Sequence, residues 1–128
     1  IMGYTSEVHI AVPKKDEAEL DAIMNRLDLL ESENECGDNR FYKRNYTQRW
    51  QEINNGVTTD KSKDVILYQA GCLKWYEEYK DVQEISSFIE MGEEDGRCIV
   101  CVGEDNVVHS NIVDYSDVFN VYMKVELT

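Results

Sequence analysis

The sequence predicts an α+β fold. Segments that alternate apolar and polar residues are interrupted by two segments whose apolar residues recur every three or four positions, and the order reads strand, helix, strand, strand, helix, strand. At 128 residues the chain has the size of one domain, residues 1–128, and it is long enough to bury a single core. Ile1 precedes Met2, and Met2 reads as the natural start.

The first strand runs Tyr4 to Val12. Tyr4, Ser6, Val8, Ile10 and Val12 alternate there with Thr5, Glu7, His9 and Ala11, and Pro13 stops the run. Asp16-Glu17-Ala18-Glu19 has capping-box spacing and opens a helix with Leu20, Ile23, Met24, Leu27 and Leu30 on one stripe, expected to end near Glu31 to Ser32. A polar loop with Gly37 follows. Between Arg40 and Ile53, Tyr42, Tyr46 and Trp50 satisfy helical and strand spacing alike, and the aromatic content favours strand. Asn54-Asn55-Gly56 marks a turn, extended as a loop through Thr58 to Lys63. Asp64 to Trp75 is an apolar strand with Gly71 as a bulge position. Asp81-Val82-Gln83-Glu84 repeats the capping spacing, and the second helix carries Val82, Ile85, Phe88 and Ile89 up to a stop at Gly92. Arg97 to Val102 is a buried-type strand. Val107 to Val113 reads as a short strand or an irregular connection, and Phe119 to Leu127 as one final alternating strand. This order matches the ferredoxin-like split β-α-β plan, an antiparallel sheet with two helices on one face, plus one or two C-terminal strands.

Charge divides the chain in three. Residues 1–38 hold three bases and ten acids, residues 39–63 six and two, and residues 64–128 four and fourteen, which sums to -13. A field of that sign repels nucleic acid and anionic membranes and speeds encounter with a basic partner, although solubility alone also accounts for it. No stretch has the length and apolarity of a membrane span, and no basic leader precedes an apolar run, so the cytoplasm is the expected location.

Residue types that support chemistry are present, but not in catalytic patterns. Cys98 and Cys101 are three apart on a strand and point to opposite faces, so they cannot share a metal, and with Cys36 and Cys72 they read as free thiols. His9 and His109 lack a neighbouring nucleophile or ligand spacing. The acids lack the alternate-position spacing of a calcium loop, and no glycine-rich turn joins strand to helix as a phosphate site needs. No cofactor, metal or catalytic residue is therefore expected. The run Arg40 to Trp50 interleaves bases and aromatics like a stacking platform for single strands. The negative surroundings and the missing RNA-recognition pattern oppose direct nucleic-acid binding; the segment reads either as a surface for a protein or ligand or, more simply, as a strand whose arginines pair with the protein's own acids.

The most distinctive stretch is Lys74-Trp75-Tyr76-Glu77-Glu78-Tyr79-Lys80-Asp81-Val82, which follows Val65-Ile66-Leu67-Tyr68. Together with Tyr4 to Ile10 and Val102-Gly103-Glu104-Asp105, it resembles small proteins encoded by tailed phages and prophages, loosely and over most of the chain. That resemblance carries over no catalytic residue. It implies a host-directed role in the host cytoplasm.

The expected function is a non-enzymatic acidic binding protein that meets a protein partner, with Trp75, Tyr76 and Tyr79 as anchors and Glu77, Glu78, Glu93, Glu94, Asp95, Glu104 and Asp105 as charge. Carboxylates can stand in for phosphates, so a basic, nucleic-acid-binding host protein fits as the partner. Packing at a strand end is the competing reading for the three aromatics. Two alternatives belong to other classes: a ferredoxin-like homodimer that binds a small ligand, and a small hydrolase using His9 or His109 with an acid.

Overall fold

The computed structural model describes residues 5–31, 40–92, 96–103, 119–121 and 125–127. They form an α+β arrangement of β1 (Ser6–Pro13), α1 (Glu17–Arg26), β2 (Tyr42–Asn54), β3 (Val57–Leu73), α2 (Lys80–Met91), β4 (Cys98–Gly103), β5 (Phe119–Val121) and β6 (Val125–Leu127). The first four strands make one antiparallel sheet in the order β2-β3-β1-β4, and β5 and β6 pair separately. No described helix is long and apolar enough to cross a membrane.

Register places one apolar face under the helices. Ile10 lies opposite Tyr68 on one side and Ile99 on the other, and Val8, Val12, Ile66, Ala70 and Cys101 share that face. Leu20 and Met24 of α1 and Ile85, Phe88 and Ile89 of α2 close over it as one cluster. Burying an aliphatic side chain of this kind contributes roughly 1.5–3 kcal/mol. The opposite face is also withdrawn from solvent. His9, Ala11, Val65, Leu67, Cys98, Val100 and Val102 are all buried, so β1, β4 and the Val65–Ala70 stretch of β3 are covered on both faces.

Several local expectations change. Helix α1 ends at Arg26, not near Glu31, because Asp28 adopts a left-handed backbone, φ 56°. The Leu29 amide then bonds the Met24 carbonyl and the Asp28 amide bonds the Asn25 carbonyl, the paired bonds of a Schellman stop. Leu27, Leu29 and Leu30 still pack on the core beyond the helix. Asp16 occupies the N-cap position of α1, yet its carboxylate makes no capping bond and turns to Arg97. The N-cap of α2 is Tyr79, and Asp81 lies in the first turn with its carboxylate accepting the Val82 amide.

Strand β3 begins at Val57, so the expected loop Thr58 to Lys63 is strand. The cause is the two-residue turn at Asn55 (φ 53°) and Gly56 (φ 78°), whose left-handed pair starts an unbroken ladder from Asn54↔Val57 to Tyr42↔Gln69. Near its other end, two steps of β1, Ser6 to Val8, face three steps of β3, Leu73 to Ala70, which puts the extra residue at Gly71–Cys72 as a bulge. The run from Phe119 to Leu127 is two short antiparallel strands with Phe119 opposite Leu127, because continuous alternation does not reveal a reversal within it. Val107 to Val113 lies outside the described residues.

Candidate functional site

The connection between β3 and α2 carries the expected site. Trp75 is half-buried and packs edge-on against Phe41, ring centroids 5.9 Å apart, so it belongs to the rim of the core and not to an exposed anchor. Tyr76 and Tyr79 form a separate edge-to-face pair at 5.1 Å. A tight turn sets this pair, since the Tyr79 amide bonds the Tyr76 carbonyl and the Gln83 side chain donates to the Glu77 carbonyl. Glu77, Glu78 and Tyr79 are exposed. The structure thus brings together Tyr76, Glu77, Glu78 and Tyr79; Glu93, Glu94, Asp95, Glu104 and Asp105 lie outside the described residues.

Elsewhere the body uses its bases on its own acids. Arg97 makes two bonds to Asp16, Nε to Oδ2 at 3.0 Å and an η nitrogen to Oδ1 at 3.1 Å, and donates to the Phe88 carbonyl near the end of α2. Its guanidinium also stacks 3.9 Å from the Phe88 ring centroid. A side chain at Gly92 would collide with it, because a Cβ there would lie 2.2 Å from the Arg97 Cδ. Lys43 on β2 reaches across to α1 and bonds both Glu17 at 2.8 Å and Asp21 at 2.5 Å. Burial alone would lower its pKa, but the Asp21 and Glu17 bonds outweigh that and raise it. Asp21 also accepts from the otherwise buried Tyr68 hydroxyl at 2.8 Å, and burial together with that carboxylate pushes the phenol well above its ordinary range. Arg40 pairs with Asp28 and Arg26 with Glu84. The basic segment is thus partly spent inside the molecule.

His9 sits in the second, covered face of the sheet, 6% exposed, with Nε2 2.5 Å from the Glu7 carboxylate. Burial lowers its pKa and nearby Arg44 lowers it further, against the raising influence of Glu7. Between this lowered value and 6.5, the unfolded chain binds a proton that the folded chain does not. Stability therefore falls as pH drops through 6.5 and levels off below the folded value. Urea unfolding from about pH 5 to pH 7 should show this slope in the wild type, flattened in His9→Gln; equal slopes in the two proteins would show that His9 is not its source. His109 lies outside the described residues.

The thiols follow the strand geometry. Cys101 stands opposite Val8 on the helix side, where burial pushes its pKa up to about 12, while Cys98 stands opposite Ala11 on the other face. Among the described residues, Cys72, Cys98 and Cys101 form no disulfide, and no group of three histidine, cysteine or acidic side chains is placed to hold a metal.

One surface was missed by the sequence reading. Strand β1 ends at Pro13 opposite Val65, so among the described residues the eight pairs from Thr47↔Asp64 to Asn54↔Val57 have no third strand beside them. At about 3.4 Å per residue this two-stranded ribbon extends roughly 27 Å beyond the sheet. Nearly all of it is exposed, including Trp50, Ile53 and Val57, and an open groove of about 400 Å³ beside it is lined by Arg49, Trp50, Gln51, Asp60, Lys61 and Ser62. No described ion pair engages Arg49, Lys61 or Lys63. Asn55-Gly56 between two runs of equal length was the available signal, and it was outweighed by the polarity of Thr58 to Lys63.

The chain matches no protein-family model, no curated protein and no solved structure. What it does is therefore read from its own surfaces.

Proposed function

We propose that this protein is a non-enzymatic binding protein that engages a basic protein partner through an acidic, tyrosine-bearing turn. The observation that carries this is the way charge is spent. Arg26, Arg40, Lys43 and Arg97 of the body are each committed to carboxylates of the same chain, while acids outnumber bases 26 to 13. The chain as a whole therefore stays strongly negative, and Glu77 and Glu78 place exposed carboxylates beside an aromatic pair, Tyr76 and Tyr79. Tyrosine offers large, stiff contact area with a polar tip, and carboxylates offer the field that a phosphate-reading surface seeks. The strand order, read from the other edge as β4-β1-β3-β2, supports a ferredoxin-like plan. The resemblance to phage proteins supports a host nucleic-acid-binding protein as the target.

Affinity capture from bacterial lysate at low salt, eluted with a salt gradient, tests the reading. The wild-type chain is expected to retain a nucleic-acid-binding protein that salt releases, and Glu77→Lys with Glu78→Lys is expected to lose it, with unfolding stability changed by less than about 0.5 kcal/mol because both sites are exposed. The same proteins captured equally by both versions would contradict it.

A further inference from the structure

The outer edge of β2 is a strand-pairing site, and its direction can be read from two independent features. Phe41 donates its amide to the Leu29 carbonyl and accepts from the Glu31 amide, so its backbone groups point away from β3. In a strand the pointing direction alternates, and the ladder beyond Phe41 has no register shift. The amides and carbonyls of Lys43, Asn45, Thr47, Arg49, Gln51 and Ile53 therefore also point outward. The turn agrees, since Asn54 and Val57 flank a two-residue loop and form the closing pair of the hairpin, leaving the odd-numbered residues for the other side. No described strand pairs with this edge. It has neither proline nor bulge from Tyr42 to Asn54, so nothing in its backbone blocks pairing.

We propose that this edge pairs antiparallel with the same edge of a second copy of the chain, about a two-fold axis at Gln48. Self-complementarity selects the occupant. An antiparallel ladder centred on Gln48 places Lys43 opposite Ile53, Asn45 opposite Gln51 and Thr47 opposite Arg49, which uses all six outward residues of each copy. The intervening, non-hydrogen-bonded positions bring side chains closest, with Cα atoms about 4.5 Å apart. There Arg44 of one copy meets Glu52 of the other, and Tyr46 meets Trp50, an opposite-charge pair and an aromatic pair on one face. Sliding the centre by one residue toward the tip sets Arg49 against Arg49 and leaves Lys43 unmatched. Among the described residues the Leu29–Glu31 segment meets the edge at Phe41, and the proposed ladder lies beyond that residue.

The net charge of -13 on each copy does not forbid this. The paired segment lies in the basic middle of the sequence, and the ribbon holds the acidic bodies apart by more than the Debye length of about 8 Å at physiological salt. Added salt screens the remaining repulsion and strengthens the pair.

Sedimentation equilibrium on the full chain over a concentration series tests this. The wild type is expected to approach twice 14.9 kDa, more readily as salt rises. Arg49→Pro removes an outward amide that no described residue uses within the monomer, so it should leave a folded monomer. Should that variant fail to fold, charge exchange decides: Glu52→Arg should weaken the dimer about three- to ten-fold, and Arg44→Glu combined with Glu52→Arg should restore it. A wild type that stays monomeric at every concentration, a dimer indifferent to Arg49→Pro and to Glu52→Arg, or one that salt dissolves would each overturn the proposal. The Tyr76–Tyr79 turn lies at the opposite end of β3 from the ribbon tip, so its partner-binding assay reads a separate surface.

Discussion

Replacing Asp16 with alanine is expected to destabilise the fold by about 3–5 kcal/mol, because it strands a buried guanidinium without its partner. Asp16 and Arg97 are both about nine-tenths buried, and their two parallel bonds tie the start of α1 to the entrance of β4. Arg97 further holds the Phe88 carbonyl and the Phe88 ring, so one side chain joins α1, α2 and β4. Breaking such a pair costs more than never having it. The double change Asp16→Leu with Arg97→Met should therefore recover most of the loss, since an apolar pair of similar volume carries no desolvation penalty. Urea unfolding midpoints at constant slope measure both. A loss below about 1 kcal/mol for Asp16→Ala would mean that the guanidinium finds water, which is the exposed-pair regime.

The second large effect is expected at Phe41. Its ring is fully buried, packs against Trp75, and its backbone anchors the Leu29–Glu31 segment to the start of β2. Phe41→Ala removes a large ring from a packed core and should cost about 3–5 kcal/mol. The same change should shift tryptophan emission to the red as Trp75 loses its packing, since Trp50 is already 39% exposed and contributes little to the change. Unaltered emission with a small stability loss would show that Trp75 is free of the core, and would return it to the set of exposed anchors.

The two outcomes also mark what the sequence could and could not reveal. Alternation in Ser6 to Val12, the continuous apolar run Cys98 to Val102, and helical spacing in Leu20 to Met24 and Val82 to Ile89 were legible because burial in each element follows the period of its backbone. The ribbon was not legible in the same way. Both of its faces meet water, so Thr58 to Lys63 carry no apolar alternation, and only the Asn55-Gly56 turn specifies the strand. Asp16 satisfied the spacing of a capping box, yet a base 81 residues away claimed its carboxylate, a contact that no local pattern encodes. Trp75 and Tyr79 looked alike in sequence, and only the position of Phe41 separates a core-rim residue from an exposed one.

The central claim is that the exposed carboxylates of the Tyr76–Tyr79 turn draw in a basic partner. Stopped-flow association of the captured partner with this chain, followed across a series of salt concentrations, addresses it most directly. The account expects an association rate that falls steeply as salt screens the field, with Glu77→Lys combined with Glu78→Lys flattening that dependence. A rate indifferent to salt, or a dependence untouched by those two changes, would contradict it.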